Sequence, residues 1–277
     1  MKIIRKYTLI IMLVIVTTSF SQKDELFPGD LNIQPFIANM LEPRLGFQFQ
    51  ISKNELRLDI GNSIDVYRFS INDYSILSFG ADFFTYSLLR SESGFHFPVV
   101  AIDYLFGINL GYKYLLNNCE YGARLRISHI SAHIVDGHFD KETGEWRNGI
   151  EPQVYSREFI ELSPFYKFKN LRIYGVITFL YHVDPDILGN DSYQIGFDYF
   201  SNSILSENLH PFCGYDLKLS HLVDYEINHS LLLGLKFGKK RGKGMSLYLN
   251  YFSGKSIHGE FYFQNKNFFS LGFNIDL

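Results

Sequence analysis

After residue 21 the chain has no apolar run approaching the roughly 18 residues that a membrane-spanning helix needs. An α-helical membrane protein is therefore excluded. Cysteine is scarce, with two in 277 residues, too few for a disulfide framework. Cys119 falls in a predicted turn and Cys213 in a predicted strand, so both are expected to be unpaired. An excess of positive charge is missing as well. The 26 Lys and Arg are outnumbered by 29 Asp and Glu, and no nucleic-acid partner is expected. Internal repeats, low-complexity tracts and linkers are also absent, which leaves one folded domain.

Aromatic residues are abundant. They make up 17% of the chain, with 27 Phe and 19 Tyr, yet the mean hydropathy is only −0.04. The first residues point to export. Lys2, Arg5 and Lys6 precede the apolar run 7–16, and Ser19-Phe20-Ser21 places small residues at −3 and −1 before Gln22. A signal peptide over 1–21 is expected, and no cysteine follows it to carry a lipid anchor. An exported chain this aromatic, without spanning helices, is either a secreted β-sandwich or an outer-membrane barrel.

Periodicity separates these two. Leu45, Phe47, Phe49 and Ile51 alternate with Arg44, Gly46, Gln48 and Gln50. The same two-residue period runs through 102–113, 193–199, 231–238 and 269–277. It predicts about twelve strands, near 44–52, 55–66, 75–88, 99–116, 120–136, 154–168, 171–183, 192–201, 210–220, 228–239, 244–254 and 267–277. Many reach the roughly 9–11 residues that cross a bilayer at a tilt. Their second face carries Arg57, Asp59, Asp82, Asp103, Arg124, Arg126, Glu161, Asp198, Asp216 and Lys218. A sandwich core does not combine that much charge with that much aromatic surface. A closed antiparallel transmembrane β-barrel does, with its apolar band in lipid and its charges in the lumen.

The expected organisation is thus all-β, with a barrel over 44–277 in the bacterial outer membrane. Residues 22–43 hold three prolines and alternate only weakly, so they are expected to be a periplasmic or lumen-entering segment. An even strand count puts both termini on the periplasmic side. Outer-membrane lipids are the expected surroundings, with the barrel-assembly machinery and periplasmic chaperones as partners. No cofactor is expected.

Several stretches are similar to a bacterial outer-membrane family known as domain of unknown function 1207. They are Phe27 to Leu31, Pro35 to Asn39 with Glu42 to Arg44, Ser128 to His133, Tyr155 to Phe159, His182 to Asp186 and Ser253 to Tyr262. Together they run the length of the mature chain. The resemblance implies a barrel and no particular activity. The final Leu277 departs from the terminal Phe that many barrels carry.

One stretch bears on chemistry. In "LRISHISAH" (125–133), His129, Ser131 and His133 share parity with Leu125 and Ile127, which belong to the lipid face. If the following hairpin closes symmetrically about 144–145, Ser131 faces Glu158 and His129 faces Ile160. A hydroxyl, an imidazole and a carboxylate would then meet on the outer wall, as nucleophilic ester hydrolysis requires. The H-x-S spacing with a carboxylate or amide on the next strand resembles outer-membrane phospholipase A and lipid A deacylase, with a longer loop before Glu158 here. That resemblance implies Ser131 as nucleophile, His129 as base (His133 as the alternative base) and Glu158 as the group orienting it.

A bulge near Ser128 would instead turn the set into the lumen, beside Arg124, Arg126, Arg157 and Glu161. This inward arrangement avoids placing polar groups against acyl chains and is the favoured expectation. The function expected from sequence is accordingly a structural or interaction barrel or a narrow channel, with a wall-borne lipid hydrolase as the alternative. Two weaker features remain. Asp184, Asp186 and Asp191 in one outer loop have the ligand type for Ca²⁺. The basic turn 238–244 suits anionic headgroups.

Overall fold

The computed structural model describes residues 24–277 except 52 and 205, so the expected signal peptide lies outside the described residues. Twelve strands form the wall: β1 (Leu45–Gln50), β2 (Glu55–Ser70), β3 (Ser75–Arg90), β4 (Val99–Leu115), β5 (Cys119–Ile134), β6 (Tyr155–Phe168), β7 (Leu171–Asp184), β8 (Asp191–Phe200), β9 (Leu209–His221), β10 (Tyr225–Gly238), β11 (Gly244–Lys255) and β12 (Asn265–Asp276). Each pairs antiparallel with its chain neighbours, and β12 returns to β1 through Leu45↔Ile275 and Phe47↔Phe273, closing the barrel. No helix among the described residues is long and apolar enough to cross a membrane. At one end the connections 71–74, 116–118, 169–170 and 239–243 are short, while the longest, 135–154, lies at the other.

Alternation sorts the side chains as the sequence implies. Phe47, Ile108, Leu110 and Leu233 are exposed on the outer wall, with Leu45, Phe197 and Phe273 half-buried on the same face. Arg57, Asp59, Asp82, Asp103, Arg124, Arg126, Glu161, Asp198 and Asp216 are buried in the lumen, and Lys218 is half-buried there. Most of these charges are paired. Arg126 donates to Asp82 at 2.8 Å and to Glu161 at 3.3 Å, while Arg172 donates to Asp198 at 2.6 Å. Charge-assisted bonds of this kind offset the desolvation of each group.

Before β1, Asp24–Leu26 pair antiparallel with Tyr67–Phe69 of β2, and the stretch 28–44 then threads the lumen. The prolines and lack of alternation of 28–44 keep it out of the sheet, and the wall takes up its free backbone carbonyls instead. Arg172 donates to the carbonyls of Gln34 and Pro35, both at 2.7 Å, Lys113 to that of Asn32 at 2.8 Å and Arg57 to that of Met40 at 2.8 Å. Phe36 is fully buried and stacks on Tyr174 with ring centroids 3.9 Å apart. The guanidinium carbons of Arg172 and Arg124 lie 4.6 and 5.4 Å from its centroid.

Glu42, on the same segment, accepts from Arg124 and Arg126. Burial alone would raise its carboxyl, but the two guanidinium charges outweigh burial and hold it at about 2. Three cations of the basic turn help to close this end. Arg241 turns inward to Asp198, Lys239 pairs with Asp30 at 2.8 Å, and Lys240 reaches Asn170 and Asn202.

At the opposite end the loop 256–264 folds into the mouth. Asp103 accepts from His258 Nδ1 and from the Gly259 backbone, both at 2.7 Å. Glu260 accepts from the backbone N–H of Ile134 at 2.5 Å and of Gln153 at 2.7 Å. Gly259 passes so close to the wall that a Cβ there would stand 2.3 Å from the Tyr155 ring.

Candidate active site on the outer wall

Strand β5 is regular. Its register against β6 steps one to one from Cys119↔Phe168 to Ala132↔Tyr155, and against β4 from Glu120↔Leu115 to Ile134↔Ala101. With no bulge, parity holds throughout. Arg124, Arg126, Ser128, Ile130 and Ala132 are buried inward, Leu125 and Ile127 are exposed outward, and His129, Ser131 and His133 follow them. The inward arrangement favoured from sequence is therefore overturned. The polar groups are tolerated on the outer face because His129 is bonded by Glu158 of the next strand and because the set sits high on the strand. Ser131 is twelve residues beyond Cys119 (131 − 119). At a rise of about 3.3 Å and a tilt of about 40°, that is about 30 Å, the far edge of a hydrocarbon layer.

The register also differs from symmetric closure. His129 lies opposite Glu158, and Ser131 lies opposite Ser156. A two-residue shift keeps every side chain on its face, so alternation alone cannot detect it. What selects the observed register is cross-strand complementarity. Leu125 faces Leu162 and Ile127 faces Ile160 outside, while Arg126 faces Glu161 inside.

Glu158 is the centre of the resulting cluster. Its Oε1 is 2.5 Å from His129 Nδ1 and accepts from Ser156 Oγ at 3.0 Å, while its Oε2 binds His182 Nδ1. A carboxylate accepting from Nδ1–H makes Nε2 the basic nitrogen of the neutral ring. The His129 ring rests against Phe106, with centroids 4.9 Å apart. Ser131 is half-buried beside this pair, and among the described residues no hydrogen bond joins its hydroxyl to His129. His133, the alternative base, is exposed near Tyr104 with centroids 6.0 Å apart and does not contact Glu158.

Ser156 and His182 were not foreseen. Ser156 follows directly from the observed register. His182 has the parity of the lumen residues Thr178 and Leu180, but the register of β7 against β6 shifts between Leu180 and His182, and the side chain emerges on the outside.

Asp184, Asp186 and Asp191 do not converge. Asp191 is held by His221 Nδ1 at 2.8 Å and by the Tyr225 hydroxyl at 2.7 Å, while Asp186 is exposed in the loop. Among the described residues, no group of three or more His, Cys, Asp or Glu is placed to hold a metal ion. Cys119 and Cys213 are both free.

Comparison with known proteins places the fold. Outer membrane phospholipase A from Escherichia coli superposes with a TM-score of 0.50 at 16% identity, covering 80% of this chain and 78% of that one. An active-site mutant of the same protein gives 0.53 at 16% identity, covering 86% and 92%. A calcium-bound dimer of the Salmonella typhi outer membrane phospholipase gives 0.52 at 15% identity, covering 84% and 89%. At such identities the likeness is one of fold, that of bacterial outer-membrane barrels. No curated protein matches the chain. The family described as a protein of unknown function (DUF1207) matches residues 60–276, most of the chain, and the protein belongs to that family.

Proposed function

We propose that the protein is exported to the outer membrane and there hydrolyses an acyl ester of a membrane lipid at its outer wall. The observation that carries this reading is the Glu158–His129 pair, facing lipid one alternation below an outward serine hydroxyl on the same unbulged strand. Glu158 holds the imidazole so that Nε2 is free to take a proton. Ser131 is the nucleophile two residues on, and His182 and Ser156 steady the carboxylate. In the reaction the Ser131 oxygen bonds to the ester carbonyl carbon and its proton passes to His129. That proton then goes to the departing alcohol, and water releases the fatty acid from the acyl-serine. An apo hydroxyl not yet bonded to its base is common in such sites and tightens when substrate binds.

The similar phospholipase barrels bear on the fold, while the chemistry here rests on this chain's own residues. A narrow channel is disfavoured because the N-terminal segment and its ion pairs lie across the lumen. The test is fatty-acid release by the purified protein from diacyl phospholipid and from lipid A in mixed micelles. Release by wild type that falls by on the order of 10³-fold or more in Ser131→Ala and in His129→Ala supports the reading. Absence of release from either lipid, or release unchanged in Ser131→Ala, returns the protein to a structural role.

A further inference from the structure

The outer half of the lumen contains a pocket between the tip of the N-terminal segment and the loop 256–264. Met40 and Leu41 form its floor, Ile257 and Tyr262 its roof, and Tyr86 and Phe252 part of its wall. Two cations line it, Arg157 from β6 and Lys218 from β9.

These two depart from the pattern of the lumen. Arg57, Arg124, Arg126, Arg172 and Arg241 are all neutralised by carboxylates. Arg157 and Lys218 take part in none of the ion pairs among the described residues. Nε and Nη2 of Arg157 are buried and have no hydrogen-bond partner. Those two N–H groups form one edge of the guanidinium, the edge that takes a carboxylate or phosphate side-on through two parallel bonds. The acid that lines the cavity forms no hydrogen bond or ion pair with Arg157 among the described residues. Asp216 already accepts from the Tyr174 hydroxyl at 2.7 Å and from Gln194 Nε2 at 2.8 Å. The third cation, Lys255, is paired with Glu226 at 3.3 Å. Lys218 has Glu161 and Asp216 nearby, but the Nε–Nη2 edge of Arg157 has no acceptor among the described residues, and an anion entering the cavity supplies one.

We infer that this cavity binds a small organic anion, its carboxylate or phosphate on Arg157 and Lys218 and its apolar body against Tyr86, Phe252, Ile257 and Tyr262. The lining combines apolar walls with a few convergent polar groups, as small-molecule sites do. The site is separate from the outer-wall cluster and does not depend on the reaction proposed there.

The experiment is calorimetric titration of the refolded protein in micelles, corrected for empty micelles, with 2-naphthoate, 2-naphthyl phosphate and the neutral 2-naphthalenemethanol. Both anions are expected to bind at least about tenfold more tightly than the alcohol, and Arg157→Gln and Lys218→Gln are each expected to weaken the anions about tenfold or more. The stronger of the two anions identifies the head group as carboxylate or phosphate. Arg157→Gln is also expected to raise the melting temperature of the free protein, because it relieves an unpaired charge, whereas loss of a structural arginine would lower it. Equal binding of the alcohol, anion binding indifferent to both variants, or no binding at all would overturn the proposal.

Discussion

Replacing Glu42 with Ala probes how the lumen is held shut. The carboxylate is fully buried, and it is the hydrogen-bonding counter-charge of Arg124, which is also buried and otherwise has only Glu161 at 3.9 Å. Arg126 retains Asp82 at 2.8 Å and Glu161 at 3.3 Å, so the damage concentrates on one guanidinium. Breaking a buried pair by removing one partner costs about 3–5 kcal/mol. Because Arg126 stays neutralised, the lower end is expected, about 3 kcal/mol. The assay is reversible urea unfolding in lipid vesicles, with planar-bilayer conductance as a second readout for release of the N-terminal segment. Adding Arg124→Met to Glu42→Ala should recover most of the loss, since the penalty comes from the unpaired charge and not from packing.

Acid should act on the same contact. The folded carboxyl is held at about 2, below its ordinary 4.5, so its contribution is complete above pH 4.5 and is lost as pH falls toward 2. A loss below about 1 kcal/mol in Glu42→Ala, or no rescue by Arg124→Met, would refute the ion-pair account of the closed lumen.

Other residues make separate expectations. Gly259→Ala drives a Cβ to 2.3 Å from the Tyr155 ring and should destabilise by about 1–3 kcal/mol, with faster proteolysis of the loop 256–264 in intact vesicles. If the outer wall is catalytic, Glu158→Ala should lower acyl release by on the order of 10²-fold or more. His182→Ala acts only through Glu158 and should lower release by about tenfold, with the pH–rate profile shifted, a change that loss of packing alone would not produce. Ser131→Ala removes an unbonded, half-buried hydroxyl and should leave unfolding free energy within about 0.5 kcal/mol of wild type.

The wall was legible because a barrel in lipid obeys one strict rule, the two-residue alternation. All twelve strands were found from it to within a few residues, down to the return of the last to the first. The charges assigned to the lumen followed from the same period. What alternation cannot encode is register, and the symmetric closure of the β5–β6 hairpin missed by two residues while leaving every face correct. It also cannot encode an irregularity. A bulge was expected at Ser128, where the strand is regular, and none was expected before His182, where the register shifts. Residues 27–44 lack a period because their backbone bonds to arginine and lysine side chains from distant strands, and no local pattern records such partners. The acidic loop misled for a related reason: Asp191 is used by His221 and Tyr225, which lie some 30 residues further along the chain.

The most direct test of the outer-wall reading is covalent. The purified protein is incubated with a long-chain fluorophosphonate in micelles and digested, and the modified residue is located by mass spectrometry. The account predicts a single adduct on Ser131 that is absent from Ser131→Ala and strongly slowed in His129→Ala, while the folded barrel persists in each. An unmodified Ser131 in the folded wild type, or labelling that does not depend on His129, would contradict it.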